Sequence, residues 1–352
     1  MEIDERYMRR ALQLARLGEG AVSPNPMVGA VIVRHGLIIG EGYHRQWGGP
    51  HAEVNAVNSV ADKRLLADST MYVTLEPCSH YGKTPPCAEL LVRMRVPRVV
   101  VGMTDPFAKV HGRGIQMLRD AGVEVVTGVL ADECRSLNRR FVTAHTAKRP
   151  YIMLKWAQSA DGYIDGLRTD GCNTPVVLSN ALSMMWMHRE RSRCDAILVG
   201  AGTVTADDPS LTVRRWPVAH RQPLRVVLDG RLSMPASSKL LTDGLPTIIY
   251  NSVKSGIDGC VEYVKIDSAD AMSWLSHLYA RGITSLMVEG GRHLLEELID
   301  CGMWDEARVE TALAMTLGDG VPAPVLKGGT VRNIEKHWAN SVTTLVNDVK
   351  TE

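Results

Sequence analysis

The chain has 352 residues, 45% apolar and 22% charged, with 40 Lys and Arg almost cancelled by 39 Asp and Glu. That length predicts about two domains, while a net charge of +1 and 5% aromatic residues argue against a basic, aromatic groove for nucleic acid. No apolar run reaches the roughly 18–20 residues of a membrane span, and the acidic start Met1-Glu2-Ile3-Asp4 lacks signal-peptide character, so no membrane partner and a cytoplasmic location are expected.

Met8, Ala11, Leu12 and Ala15 stand at helical spacing and predict a helix over 4–17, ended by Gly18 and Gly20. Strands follow over 28–33 and 37–43, joined as a hairpin across Arg34-His35-Gly36. Gly48-Gly49-Pro50 then leads into a helix over 52–60, which puts His51 at a helix start. A strand over 71–75, a helix over 87–95 opened by Pro85-Pro86, a strand over 98–103, a helix over 112–121, a strand over 123–126 and a helix over 131–147 complete an alternating α/β domain. Lys148-Arg149-Pro150 breaks the pattern before an apolar strand over 151–156. The domain boundary is placed there, giving 1–147 and 148–352. The second part again alternates, with a helix over 181–192, strands over 196–200, 225–229 and 247–250, a helix over 269–280, a strand over 285–289 and a helix over 292–300. This order predicts a second α/β sheet with helices on its faces.

Seven cysteines, scattered from Cys78 to Cys301, suit reduced thiols or metal ligands better than a disulfide framework. Pro50-His51-Ala52-Glu53, then Glu76-Pro77-Cys78, then Pro86-Cys87 supply one imidazole and two potential thiolates. Three protein ligands leave a zinc ion one position for water, whereas a structural site wants a fourth ligand, for which His80 is the obvious candidate. Two thiolates cancel the charge of Zn²⁺ and acidify bound water less than three histidines would, so a neighbouring base is needed. Glu53, two residues after the His near a helix start, is placed to be that base. Hydrolytic deamination requires this set, because one group must carry protons from water to the ring nitrogen and the departing ammonia. The pattern matches the His-x-Glu and Pro-Cys signature of zinc deaminases acting on bases. It departs in having eight residues, not two, between the cysteines, a span a loop bridges if a strand end and a helix start anchor its ends. The alternatives are a helix-capping His51 beside buried thiols, a structural zinc closed by His80, and a Glu53 that only favours a helix dipole. Glu76 stays open between support of the metal site and a plain structural or solvent role.

The runs Ser23-Pro24-Asn25-Pro26-Met27-Val28-Gly29, Gly40-Glu41-Gly42-Tyr43-His44, His51-Ala52-Glu53-Val54 and Thr74-Leu75-Glu76-Pro77-Cys78 through Thr84-Pro85-Pro86-Cys87 closely resemble the bifunctional riboflavin-biosynthesis deaminase/reductase family. The long insert between cysteines is that family's own mark. The second half is similar to it in Tyr151 through Lys155, Ser159-Ala160-Asp161-Gly162, Thr203 through Asp207-Asp208-Pro209 to Leu211-Thr212-Val213-Arg214, and Val288-Glu289-Gly290-Gly291. The resemblance covers nearly the whole chain.

It implies a cytidine-deaminase-like three-layer domain followed by a dihydrofolate-reductase-like α/β domain. It also implies two successive steps: a diaminopyrimidinone bearing a ribosyl phosphate loses an amine to water, and its ribosyl group is then reduced by NADPH to a ribityl chain. By resemblance, His51, Cys78 and Cys87 would bind Zn²⁺, Glu53 would shuttle protons, and Asn25, His44, His80 and Lys83 would hold the pyrimidine or phosphate. In the second half Lys155, Arg191, Leu211, Arg214 and Glu289 would contact the substrate, and Ala157, Thr203, Asp207 and Gly291 the cofactor. A guanidinium forks onto two phosphate oxygens, which suits Arg191 and Arg214, though a surface salt bridge would use them equally well. Lys83 could be a solvated loop charge and Asp207-Asp208-Pro209 a turn. Val176-Val177-Leu178-Ser179 departs from the family where an aromatic residue is expected beside the cofactor, and Thr311 to Gly320 matches loosely. The competing reading is a zinc deaminase of another small heterocycle or a nucleic-acid base with an accessory second domain. A homo-oligomer is compatible with either.

Overall fold

The computed structural model describes residues 2–81, 85–106, 112–168, 174–217, 221–266 and 270–347. The chain divides into two compact units, 1–148 and 149–352.

In the first unit the elements are α1 (Glu2–Arg16), β1 (Gly29–Arg34), β2 (Leu37–Tyr43), α2 (Ala52–Ser59), β3 (Thr70–Leu75), α3 (Cys87–Arg93), β4 (Arg98–Met103), α4 (Arg113–Asp120), β5 (Glu124–Thr127), α5 (Ala131–Leu137) and α6 (Arg139–Ala147). The sheet order is β2-β1-β3-β4-β5, with β1 antiparallel to both neighbours and β3, β4 and β5 parallel. Alternate side chains of each strand feed opposite faces. Ile32, Met71, Val73, Val99 and Val101 pack with Ala56 and Val57 of α2, Leu91 of α3 and Leu118 of α4. Val31, Val33, Tyr72 and Val100 pack with Tyr7, Met8 and Leu12 of α1 and Cys134 of α5. The result is a three-layer sandwich whose central strands are buried on both faces. Gly42 lets α2 lie against β2, because a Cβ there would come within 2.3 Å of the Ala56 nitrogen and 2.5 Å of the Ala52 carbonyl oxygen.

The helix expected over 131–147 is two helices broken at Asn138. That residue is buried, its Oδ1 accepts from the Met27 amide at 2.8 Å, and its Nδ2 donates to the Met27 carbonyl at 2.9 Å. An amide side chain that satisfies both groups of a distant peptide competes with helix continuity.

The second unit comprises β6 (Tyr151–Ser159), β7 (Tyr163–Asp165), α7 (Ala181–Ser192), β8 (Ala196–Gly200), α8 (Ala201–Asp207), β9 (Leu224–Leu228), α9 (Lys239–Thr242), β10 (Thr247–Asn251), β11 (Gly256–Asp258), β12 (Val261–Lys265), α10 (Ala271–Ala280), β13 (Ser285–Val288), α11 (Arg292–Asp300), β14 (Glu306–Ala312), β15 (Val321–Pro322), β16 (Thr330–His337) and β17 (Asn340–Val346). Ten strands form one sheet in the order β11-β12-β10-β9-β8-β13-β6-β14-β17-β16, parallel from β12 to β14. The chain passes from β6 to β8 and later returns to insert β13 between them, so strand order reverses there. A crevice opens at the carboxyl ends of strands around such a reversal. The edge made by β14, β16 and β17, and the short helix α8, were not among the expected elements. Among the described residues no helix is long and apolar enough to cross a membrane.

Candidate active sites

In the first unit, three side chains from three elements converge. His51 occupies the N-cap position of α2 without a side-chain capping bond, so its ring is free to turn elsewhere. Its Nδ1 lies 3.6 Å from Cys78 Sγ, beyond the end of β3, and 3.4 Å from Cys87 Sγ, at the start of α3. The Cys87 amide donates to Cys78 Sγ at 3.3 Å and the Ala88 amide to the Cys78 carbonyl at 3.2 Å, which ties strand end to helix start across the insert. All three potential ligand atoms lie within 4.8 Å of one another.

This donor set fits zinc: ligand atoms about 2.0–2.3 Å from a tetrahedral ion sit roughly 3.5 Å apart. The protons fit as well. Hydrogen bonding with Cys87 brings the Cys78 thiol down to about 4, and the same bond raises Cys87 far above the ordinary thiol range. His51 rises to about 9 through its bond to Cys78. The cluster holds protons that a divalent cation is suited to replace. His80 is exposed and, among the described residues, is not in this group, so no fourth protein ligand closes the site.

Glu53 is 3% exposed on the first turn of α2, and burial followed by the Cys78 charge pushes its carboxyl up to about 7. His44, also buried, donates from Nδ1 to the Pro50 carbonyl at 3.0 Å and accepts at Nε2 from Asn25 Nδ2 at 3.2 Å. Its ring meets the His51 ring edge-on at 5.6 Å between centroids. Asn25 and His44, which the resemblance assigned to the pyrimidine or phosphate, therefore stand next to His51. Lys83 lies outside the described residues.

Of two supporting residues, Asn138 was not identified from sequence and Glu76 was left open. Asn138 pins Met27 and with it the segment that presents Asn25. Glu76, whose role was open, has a buried carboxylate that accepts four backbone N–H groups: Asp105 at 3.2 Å and Gly112 at 2.9 Å on one oxygen, Gly114 at 2.9 Å and Ile115 at 3.3 Å on the other. It fastens the turn carrying Cys78 to the first turn of α4. Gly114 allows the approach, since a Cβ there would lie 1.9 Å from the Pro77 carbonyl oxygen. The sequence signal was Gly112 and Gly114 bracketing a helix start, 36 and 38 positions after the Glu.

The second unit holds a cleft of about 740 Å³ at the strand-order reversal, lined by Lys155 and Ala157 of β6, Thr203 and Asp207 of α8, and Glu289 and Gly291 beyond β13. Arg214, Arg215, His188 and Val177 also border it. Arg191 and Leu211 are buried beside these lining residues. Arg191 Nε and Nη2 fork onto Glu289 at 2.7 and 2.6 Å, and its Nη1 donates to the Thr212 carbonyl at 3.0 Å. Burial disfavours the Glu289 charge, but the Arg191 guanidinium overrides it and the carboxyl sits below its ordinary range. Leu211 is 2% exposed, with its backbone at φ 52°, and packs in the core with Ile197, Val199 and Val204. Thr203 Oγ1 accepts from the Gly291 amide at 2.9 Å, joining the two turns that enter α8 and α11. Asp207 is held by Arg168, which also reaches Asp165 and the Ala206 carbonyl. Arg168 and His188 were not singled out from sequence. His188 stands three residues before Arg191, the spacing that puts two side chains on one helix face.

Residues 150–350 match the RibD C-terminal domain family, and residues 1–103 match the cytidine and deoxycytidylate deaminase zinc-binding region. The chain belongs to the RibD family of riboflavin biosynthesis proteins. It is 40% identical to riboflavin biosynthesis protein RibD of Aquifex aeolicus over 326 residues, covering 91% of this chain and 89% of that one. The Escherichia coli RibD is 36% identical over 326 residues, covering 88% and 87%. Among solved structures, a diaminohydroxyphosphoribosylaminopyrimidine deaminase/5-amino-6-(5-phosphoribosylamino)uracil reductase from Thermotoga maritima superposes with a TM-score of 0.88 at 35% identity, covering 98% of this chain and 99% of that one. RibD of Acinetobacter baumannii gives 0.88 at 31% identity with the same coverage. As in the RibD family, this chain is a bifunctional enzyme, a cytidine-deaminase-like zinc-binding domain followed by a RibD reductase domain.

Proposed function

We propose that residues 1–147 hydrolytically deaminate 2,5-diamino-6-(5-phosphoribosylamino)pyrimidin-4(3H)-one and that residues 148–352 then reduce the ribosyl group of the product to a ribityl chain with NADPH. The observation that carries this reading is the convergence of His51, Cys78 and Cys87 beside a buried Glu53. The assigned substrate follows the solved relative from Thermotoga maritima.

His51 Nδ1 and the two cysteine sulfurs would hold the zinc, which when bound would supply a Lewis acid toward water. Glu53 has the proton affinity for general acid–base work, since its carboxyl both takes and gives a proton near pH 7. It accepts the proton lost by water and passes it to the ring nitrogen as the hydroxyl adds to the ring carbon; it then takes the proton of that hydroxyl and delivers it to the amine, so that the carbonyl forms, the C–N bond breaks and ammonia leaves. The resemblance to the family assigns Asn25, His44, His80 and Lys83 to the pyrimidine or phosphate, and of these Asn25 and His44 are joined by a hydrogen bond next to His51.

In the reductase cleft NADPH supplies the hydride. Thr203, whose Oγ1 takes the Gly291 amide and so keeps its O–H to donate, faces the cofactor, with Gly291 at the N-cap of α11 holding that hydroxyl in place and Ala157 and Asp207 along the same wall. Lys155, Arg214 and Glu289 face the substrate, and Arg191 acts through Glu289 by fixing its rotamer and charge. Leu211 packs in the core. The proposed compartment is the cytoplasm. A homo-oligomer is compatible with this assignment.

The test measures ammonia release from the diaminopyrimidinone and NADPH oxidation separately, for wild type and Glu53→Ala, with zinc content determined for both. Ammonia release by wild type alone, with zinc retained in the variant, supports the reading; zinc-loaded wild type that releases no ammonia overturns the substrate.

A further inference from the structure

The α7 wall of the reductase cleft carries a side chain that the mechanism above does not use. His188 is 2% exposed and yet borders the cleft. Its Nδ1 accepts the backbone N–H of Arg214 at 3.2 Å. A neutral imidazole that accepts at one nitrogen carries its hydrogen on the other, so Nε2–H is a donor. Burial, with the guanidinium groups of Arg191, Arg214 and Arg215 around it and only Glu289 opposing them, brings His188 down to about 4, so the ring is neutral and this tautomer persists. Among the described residues no acceptor takes the Nε2 hydrogen. Nor does Nε2 rank as a buried atom without a partner, a condition met there only by Arg225 Nε. The nitrogen therefore opens onto the cleft.

The surroundings select the kind of group that completes it. A sugar hydroxyl or a pyrimidine edge presents donors as well as acceptors, and so needs acceptors from the protein. Here the nearby carboxylate, Glu289, is already forked by Arg191, whereas Arg214 and Arg215 add cations at the same border. A phosphate monoester presents acceptors to such a site. On the reading of this cleft as the reductase site, we propose that His188 donates its Nε2–H to the ribosyl phosphate of the substrate, next to Arg214, and sets the preference for a phosphorylated substrate.

The test follows reduction by the full-length zinc-loaded protein, varying the deaminated substrate or its dephosphorylated counterpart under saturating NADPH and, separately, varying NADPH under saturating substrate. Wild type is compared with His188→Leu and His188→Gln. We expect His188→Leu to raise KM for the phosphorylated substrate roughly 10-fold or more, the scale of a hydrogen bond to a charged group. Its kcat should stay within about threefold, and values for the dephosphorylated compound should not move. His188→Gln has one atom to accept from Arg214 and another to donate, and should recover most of the loss. Equal losses on both compounds would mean that His188 only supports the Arg214 backbone, and a shift in KM for NADPH would mean that it faces the cofactor; either overturns the proposal. So does an unchanged KM in a His188→Leu protein that still releases ammonia normally. Should that variant fold poorly, His188→Asn, too short to do both jobs, gives the same comparison. Wild type that oxidises no NADPH overturns the reductase reading itself, an outcome distinct from an unchanged variant.

Discussion

The two units build their reactive centres by different means. In the first, the reactive atoms sit on residues close in sequence to helix and strand ends, and the backbone does most of the holding: four amides on Glu76, one on Cys78 Sγ and the Met27 peptide on Asn138. In the second, charged side chains from distant elements hold one another, as Arg191 holds Glu289 and Arg168 holds Asp207. A centre fixed by backbone needs particular residue types at a few positions. A centre fixed by paired charges depends on every partner, including those that never face the ligand.

The contrast is sharpest for a metal ligand. Cys87→Ala should abolish ammonia release, by about 10³-fold or more, and lower zinc content well below one equivalent, while reduction of the separately supplied deaminated substrate continues; parallel assays of the two activities check it. A comparable loss of both activities would break the division between the units. Next in size is Glu289→Gln, which leaves Arg191 buried without its counter-charge and should cost roughly 3–5 kcal/mol, read as a fall in the melting transition along with lost NADPH oxidation.

The same pair predicts a pH dependence. Because the folded-state pKa of Glu289 lies below its ordinary 4.5, the pair contributes stability that is present above about pH 4.5 and is lost as pH falls through the lower folded value. Thermal unfolding between pH 6 and 3 should show that loss in wild type and not in Glu289→Gln. Glu76→Ala comes third. It leaves four amides without their acceptor and should speed zinc loss to a chelator about 10-fold or more, with altered visible bands in the cobalt-substituted protein, while reductase activity is kept. An unchanged cobalt spectrum would show that Glu76 does not position Cys78. The smallest effect is expected at Val177, 62% exposed on the cleft border: Val177→Trp should lower KM for NADPH by a few-fold, the scale of one aromatic contact, as measured by initial rates.

How much the sequence disclosed follows the same contrast. Thiolate, imidazole and carboxylate at strand ends and helix starts are a chemical necessity for this kind of site, so His51, Glu53, Cys78 and Cys87 were legible from type and position. Glu76 was not, since nothing local distinguishes a carboxylate that meets solvent from one that gathers amides some 30–40 positions away. The helix over 131–147 reads as continuous because its break comes from a partner at Met27. In the cleft, Arg191 and Leu211, which the resemblance assigned to the substrate, are buried beside the lining residues, Arg191 against Glu289. Their neighbour His188, with no motif around it, borders the open space. The strands β14, β16 and β17 carry polar and charged residues mixed with apolar ones, since they form one side of a sheet that is not covered throughout, and so gave no clear period.

The clamp between Cys78 and the start of α3 has a bearing on how this scaffold can be re-engineered. With the Cys87 and Ala88 amides both bonded to Cys78, the two ligand-bearing ends are tied to each other directly, and the eight residues that the sequence places between them need not set that geometry. Doubling such a loop costs only about 0.6 kcal/mol in closure entropy. Grafting segments of other lengths there offers a way to change which molecules the deaminase admits without redesigning its metal.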